Sequence, residues 1–142
     1  MCGRPQGPPA PRACRGGPVL GRAGDGGGFH AHRAVERVID TVADGLVCRV
    51  PARLALEGLF TWIDDALSVP DTVLLQALRA LVEHAHVLVE PAGAAALAAA
   101  WARRGDLGGR RVVLVLTGAN VMLSVLTAAL SSPPLFEANG PS

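Results

Sequence analysis

The hydrophobic and polar positions of residues 51–90 follow the spacing of amphipathic helices. In the segment that starts at Pro51, leucines and Phe60 are interspersed with Arg53 and Glu57, which predicts a helix with one solvated side. A second helix is predicted from Pro70, because its polar residues recur at spacings of three and four and form one stripe. The stripe consists of Gln76, Arg79, Glu83 and His86. The opposite side of this helix is apolar and is expected to face the core.

The following segments are more uniformly apolar. Pro91 suits the first turn of a third helix, residues 92–102, which is apolar on all sides and therefore expected to be buried. Residues 112–116 are continuously apolar, so residues 111–116 predict a strand covered on both faces, and residues 121–130 predict a final helix. A short strand is expected at residues 66–69. This alternation predicts an α/β fold, with helices packed on a parallel sheet of a few strands.

The first 28 residues have a different composition. They hold nine of the 17 glycines and five of the 11 prolines, with four arginines against one acid, Asp25. Such composition predicts a disordered N-terminal tail at residues 1–28, a domain at residues 29–131 and a flexible tail at residues 132–142. The alternative for the first segment is a basic arm that touches an acidic partner.

Composition and charge narrow the function classes. With 50% hydrophobic residues and a net charge of +1, the chain fits a buried core and does not predict nucleic-acid binding. Its three cysteines form no CxxC pair, which favours a reducing, cytoplasmic setting over a disulfide framework or zinc site. The uncharged residues 112–136 resemble a membrane span. A polar turn interrupts them, so a strand, a turn and a helix explain them better.

Two turns could carry chemistry. TGAN (residues 117–120) follows the predicted buried strand and brings a hydroxyl, a glycine and an amide to a strand end, where ligands of parallel sheets collect. The alternative is an ordinary turn with Asn120 as a helix cap. In EPAG (residues 90–93), Glu90 stands at a helix start and Gly93 leaves space beside it. Here the alternative is a favourable charge at a helix N-terminus, worth about 0.3–1 kcal/mol.

Histidines and paired acids offer weaker candidates. His30 and His32, like His84 and His86, are spaced for metal binding on a strand, but on a helix residues two apart point in different directions. Histidines that face solvent or are satisfied by hydrogen bonds are therefore expected. Asp64 and Asp65 are expected to act as caps rather than as a proton-sharing pair. No metal site is predicted.

Three motifs taken together carry a family resemblance. TVADG (residues 41–45), VEPAGAA (residues 89–95) and VLVLTGAN (residues 113–120) occur in this order, with the Asp64-Asp65 element between the first two. In order and spacing they resemble the C-terminal portion of threonine/serine dehydratases, which depend on pyridoxal 5'-phosphate (PLP). These enzymes have the tryptophan synthase β-like fold, known as fold type II. The resemblance covers about residues 32–130.

The resemblance implies roles for five residues in cofactor binding. Thr117 corresponds to a hydroxyl or thiol residue that hydrogen-bonds the pyridine nitrogen of PLP, and Glu90 corresponds to a glutamate near the ring. Gly45 corresponds to a glycine whose backbone lies beside the ring, while Gly118 and Asn120 shape the turn. Family members more often have serine and glycine where this chain has Thr117 and Ala119, so the hydroxyl is kept and the turn is more crowded.

The resemblance also implies parts that this sequence does not contain. All 13 residues of the lysine-plus-arginine count are arginines, so no lysine can bind the cofactor's aldehyde. A glycine-rich phosphate loop, an asparagine near the ring oxygen and carboxylates of a structural metal site cannot be placed either. No catalytic residue is therefore assigned.

Two functions follow as expectations. The first is the C-terminal portion of a homodimeric threonine/serine ammonia-lyase, which eliminates the hydroxyl of an amino-acid substrate, here inactive alone. The alternative is a non-catalytic interaction module derived from that fold, which docks on a full-length relative.

Overall fold

The computed structural model of the chain describes residues 17–18, 36–37, 40–47 and 52–136. Two short strands, β1 (Gly17–Pro18) and β2 (Glu36–Arg37), pair antiparallel, with Gly17 opposite Arg37. Most of the predicted N-terminal tail, the first histidine pair and all three cysteines lie outside the described residues. The domain boundaries at residues 28 and 131 stay predictions.

The first predicted helix is confirmed as α1 (Arg53–Trp62). Arg53 Nε and Glu57 Oε1 pair across one turn at 2.7 Å, which is a surface contact of small worth. The apolar side of α1 is not buried, because Leu54 and Trp62 are both 81% exposed. This helix therefore adds no residue to the described core.

The second predicted helix is confirmed as α2 (Asp71–Ala80), which continues into a π-helical turn, Leu81–Ala85. Its buried residues lie opposite the polar stripe, as the spacing predicts. They are Leu74, Ala77, Leu78, Ala80 and Leu81. The run ends at His86, whose φ of 55° is left-handed and breaks the helical path.

The core forms where α2 packs against α3 (Pro91–Ala102) and α5 (Leu123–Ser131). Both helices match their predicted positions to within two residues, and a short helix, α4 (Arg104–Leu107), follows α3. Alanines fill much of this contact, so the helix backbones approach closely. The core residues are Ala43, Leu74, Ala77, Leu78, Ala80, Leu81, Val89, Ala94, Ala98, Ala129 and Leu135.

The end of α5 is tied back to the core. Arg79 in α2 donates a hydrogen bond to the carbonyl oxygen of Ser132 and pairs with Glu83 at 2.8 Å. Leu135 is only 6% exposed, and the Phe136 ring lies 5.0 Å from Trp101 and 5.3 Å from His84 between ring centres. Residues just beyond the predicted end of the domain thus contact its core.

An ion-pair network joins the end of α3 to the segment before α2. Arg103 donates to Asp65 at 2.8 Å and to Asp106 at 3.0 Å. The hydrogen bond that Arg103 donates to Asp65, and then the one it donates to Asp106, raise the pKa of the Arg103 guanidinium. The Asp65 carboxylate also accepts from the Ala66 N–H at 2.9 Å, but Ala66 lies outside the helices, so capping by Asp64 or Asp65 stays a prediction. The Arg103 partner of Asp65 lies 38 residues away.

The two predicted strands differ from the structure. Neither residues 66–69 nor residues 111–116 form a strand, and in the second segment Val113 is 88% exposed and Val115 71%. The prediction that this segment is covered on both faces is wrong for the described structure. An apolar run becomes a strand only when a neighbouring backbone supplies its hydrogen bonds, and within the described residues no such neighbour lies beside it. The parallel sheet is therefore not seen in the described ranges.

Two features are absent from the described residues. None of their helices combines the length and apolar character needed to cross a lipid bilayer. They also contain no cluster of three or more histidine, cysteine, aspartate or glutamate side chains arranged to hold a metal ion. Of the second histidine pair, both His84 and His86 are exposed.

Candidate functional site

The three motifs converge at the N-terminus of α3. Gly45 lies in a 3-10 turn, Asp44–Leu46, Glu90 is the N-cap residue of α3, and Gly118 follows the irregular segment 111–116. The backbone N–H of Glu90 donates to the carbonyl oxygen of Gly118 at 3.0 Å. This bond fixes the second motif directly against the third.

The Glu90 carboxylate lies between two glycines. A methyl group on Gly45 would lie 2.7 Å from Glu90 Oε1, and one on Gly118 would lie 2.6 Å from the same atom. Both distances are below van der Waals contact, so the missing side chains make room for the carboxylate. Gly118 has a second reason to be glycine, since its φ is +74°.

Glu90 does not act as a helix cap through its side chain. An N-cap side chain usually accepts a hydrogen bond from the first turn, yet α3 has no side-chain cap bond. The carboxylate reaches across to the Gly45 and Gly118 backbones instead. The favourable interaction with the helix N-terminus remains, but it does not account for this placement.

Thr117 is held by the backbone of α3. A methyl group on Gly93 would overlap the carbonyl oxygen of Thr117 and lie 3.2 Å from its carbonyl carbon. Gly93, which the sequence indicated as clearing space, therefore lets the third motif pack directly on α3. The Thr117 residue itself is exposed, so a ligand can reach it.

Asn120 lies apart from this convergence. It is exposed, and α5 begins three residues later with Met122 as its N-cap and no side-chain cap bond. The alternative in which Asn120 caps the last helix is therefore wrong. Its proposed role in shaping the turn stays a prediction.

Two residues that sequence reasoning did not assign to the site also lie beside it. Asp71 Oδ1 accepts a hydrogen bond from Thr41 Oγ1 at 2.6 Å, and Asp71 Oδ2 accepts from the Val42 N–H at 2.9 Å. Thr41 opens the motif that contains Gly45, whereas Asp71 is 30 residues away at the start of α2. A threonine and a helix-start aspartate are visible in the sequence, but their pairing is not.

Gly45, Glu90, Thr117 and Gly118 form one surface, here called the wall, and this surface contains no amine that could react with an aldehyde. It offers close-packed backbone at two glycines, a carboxylate between them and the hydroxyl of an exposed threonine, groups compatible with contact to an aromatic ring. A group that binds an aldehyde covalently is missing from this set, because the chain has no lysine.

Comparison with known proteins gives a consistent picture. Over 86 residues the chain is 30% identical to the L-threonine ammonia-lyase of Thermotoga maritima, covering 61% of this chain and 21% of that protein. It is 30% identical over 81 residues to the serine racemase of Schizosaccharomyces pombe, covering 57% of this chain and 25% of that protein. The chain thus spans about a quarter of the length of these relatives.

A solved structure shares the fold. The crystal structure of a T.th. threonine deaminase superposes with a TM-score of 0.55 at 28% identity, covering 66% of this chain and 30% of that chain. The family described as pyridoxal-phosphate dependent enzyme matches residues 15–118, a span that begins within the predicted tail and includes four of the five predicted site residues. This chain belongs to the pyridoxal-phosphate-dependent enzyme family.

Proposed function

We propose that this chain forms the wall of a PLP site that contacts the cofactor ring, as part of a threonine/serine ammonia-lyase. The observation that carries the proposal is the Glu90 carboxylate packed between Gly45 and Gly118, next to the accessible Thr117. Three sequence motifs that are far apart in the chain meet there. The setting we propose is cytoplasmic, in line with three cysteines that form no CxxC pair.

Each residue of the wall has a proposed task. Thr117 donates one hydrogen bond to the pyridine nitrogen, the Gly45 backbone lies beside the ring, and Gly45 and Gly118 leave room for the Glu90 carboxylate. Glu90 sets the polarity at the ring edge, while Asn120 shapes the turn that follows. When bound, PLP supplies an electron sink for bond breaking at amino-acid carbons. An uncharged partner such as Thr117 leaves the ring nitrogen unprotonated and the cofactor a weaker electron sink, which suits β-elimination because no long-lived carbanion is needed.

The chain by itself is proposed to be inactive. Attachment of the cofactor and its exchange with an amino-acid substrate both need an amine, and no lysine exists among the 142 residues. The substrate class, a β-hydroxy amino acid, and the homodimeric state are proposed from the family resemblance. Both are proposals for this chain, because it covers only 21% of the Thermotoga maritima protein.

Borohydride reduction tests the missing amine. Purified chain mixed with PLP and reduced should carry no covalent cofactor at residues 2–142, because reduction fixes only cofactor bound to an amine. Peptide mapping by mass spectrometry reads the result, and the α-amino group of Met1 serves as the internal positive reference. A modified internal residue would show that the chain supplies its own attachment point.

Non-covalent binding tests the wall. Pyridoxine 5'-phosphate has the ring and phosphate but no aldehyde, so its binding does not depend on lysine. We expect Thr117→Val to lower its affinity about fivefold, the worth of one neutral hydrogen bond, in isothermal titration calorimetry. Thr117→Ser should bind like the wild type.

A matched control for this variant lies in α5. Thr127 Oγ1 donates to the Leu123 carbonyl oxygen at 2.8 Å, away from the three motifs, so Thr127→Val removes a threonine hydroxyl without touching the wall. Its affinity should equal that of the wild type. Equal affinities for Thr117→Val and the wild type would remove Thr117 from the site.

The second candidate function is an interaction module. It is favoured by the exposed apolar residues 112, 113 and 115 and by an apolar groove of about 370 Å³ between the end of α2 and α5. The groove is lined by Val82, His86, Val87, Leu88, Leu126 and Leu130. Residues 111–116 would complete a parallel sheet if a partner supplied the neighbouring strand. A module of this kind has no need of a cofactor, so the absence of measurable pyridoxine 5'-phosphate binding would favour it.

A further inference from the structure

The start of α2 holds the first motif in place by two hydrogen bonds. The Asp71 carboxylate accepts from Thr41 Oγ1 at 2.6 Å with one oxygen and from the Val42 N–H at 2.9 Å with the other. Thr41 Oγ1 in turn accepts from the Ala43 N–H at 3.2 Å. All three bonds are partly buried, so water competes less with them than at a surface.

This network leads directly to Gly45. Ala43 is only 1% exposed, and its carbonyl oxygen accepts from the Leu46 N–H at 2.9 Å, which closes the turn that contains Gly45. The turn has one further closing bond, from the Val47 N–H to the Asp44 carbonyl oxygen at 2.9 Å. The position of Gly45 against Glu90 thus depends on where Asp71 holds residues 41–43.

Helix capping does not account for this use of Asp71. The N-cap residue of α2 is Pro70, whose carbonyl oxygen already accepts from the Val73 and Leu74 N–H groups. A carboxylate in the first turn interacts favourably with the helix N-terminus without needing these two bonds. Both of its oxygens are nevertheless directed at the TVADG motif, where charge-assisted bonds are stronger than neutral ones.

We propose that Asp71 and Thr41 are positioning residues for the Gly45 side of the cofactor wall. They act through the 41–46 turn and do not touch the ring. The inference rests on the proposed function for its consequence in ligand binding. Its first step, the placement of Gly45, can be measured in the free chain without any ligand.

The placement is tested by NMR on the free chain labelled with ¹⁵N-glycine. Thr41→Val removes the hydroxyl, and Asp71→Asn leaves an amide N–H₂ facing a donor, so each variant breaks part of the network while keeping the side-chain shape. In both variants the Gly45 amide signal should move, while that of Gly58 in the exposed helix α1 should not. Thr41→Ser keeps the hydroxyl and should leave Gly45 at its wild-type position. Thr127→Val again serves as the hydroxyl-removal control.

Ligand binding then separates positioning from general stability. Thr41→Val and Asp71→Asn should each weaken pyridoxine 5'-phosphate binding about fivefold, while Thr41→Ser and Thr127→Val bind like the wild type. Unchanged Gly45 signals in both Thr41→Val and Asp71→Asn would overturn the inference. If Gly45 responds but the wild-type chain binds no ligand, the positioning contact stands and the proposed cofactor wall fails.

Discussion

Replacing Gly93 by alanine should destabilise the fold by about 3 kcal/mol, which is at the upper end of overpacking costs. The added methyl group would overlap the carbonyl oxygen of Thr117 and lie 3.2 Å from Val89 Cβ. A side-chain obstacle can rotate away, but this obstacle is backbone, and Thr117 is followed by Gly118, which is bonded to Glu90. Relief therefore requires the third motif to move away from α3.

A control for Gly93→Ala is available in another helix. Gly58 lies within α1, and a methyl group there would meet nothing within 4 Å. Gly58→Ala should stabilise the chain by about 0.5–1 kcal/mol, because alanine is the better helix former. Urea unfolding followed by circular dichroism measures both changes. Two variants that both stabilise the chain would contradict the packing of Thr117 on Gly93.

Gly93→Ala should also affect the site. The separation of the Thr117 backbone from α3 would move the third motif relative to Glu90, so the remaining folded molecules should lose affinity for pyridoxine 5'-phosphate. Gly93 thus links stability and function, since the same close approach that buries α3 sets the position of the third motif.

The helices could be predicted from the sequence because their cause is local. The polar stripe of α2 and the proline at the start of α3 are features of neighbouring residues, and both helices form where expected. The strand predicted at residues 111–116 depends on a second strand that pairs with it, which the segment's own sequence does not specify. Its apolar side chains show that it can be buried, but it forms a strand only when a neighbouring backbone pairs with it.

In the site, too, local features could be predicted from the sequence, whereas contacts between distant segments could not. The motifs containing Gly45, Glu90 and Gly118 were found from their order along the chain, and they do meet in space. The interlocking of Glu90 with two glycines could not be predicted, because it depends on where three separate backbones pass. The Asp71–Thr41 bond spans 30 residues, and such a pairing leaves no periodic signal in the sequence.

Replacing Gly118 by alanine should lower the affinity for pyridoxine 5'-phosphate about 30-fold, which corresponds to an overpacking cost of about 2 kcal/mol at the wall. The methyl group would lie 2.5 Å from Glu90 Cδ, and the carboxylate would have to leave its place between the two glycines. Because a side-chain end can rotate, the cost falls mainly on the site. Stability should decrease only by the backbone strain at φ +74°, about 1–2 kcal/mol. Calorimetric titration and urea unfolding measure the two effects separately.

Two other glycines separate strain from displacement of the carboxylate. Gly109 has nearly the same φ, +72°, but a methyl group there would meet nothing within 4 Å, so Gly109→Ala should reproduce the stability loss and leave affinity unchanged. Gly45 has no left-handed φ, yet its methyl group would lie 2.7 Å from Glu90 Oε1 and 3.1 Å from Ala92 Cβ. Gly45→Ala should therefore weaken binding with little backbone strain. If Gly109→Ala lost affinity as Gly118→Ala does, strain alone would explain the loss, and the Glu90 carboxylate would have no part in the wall.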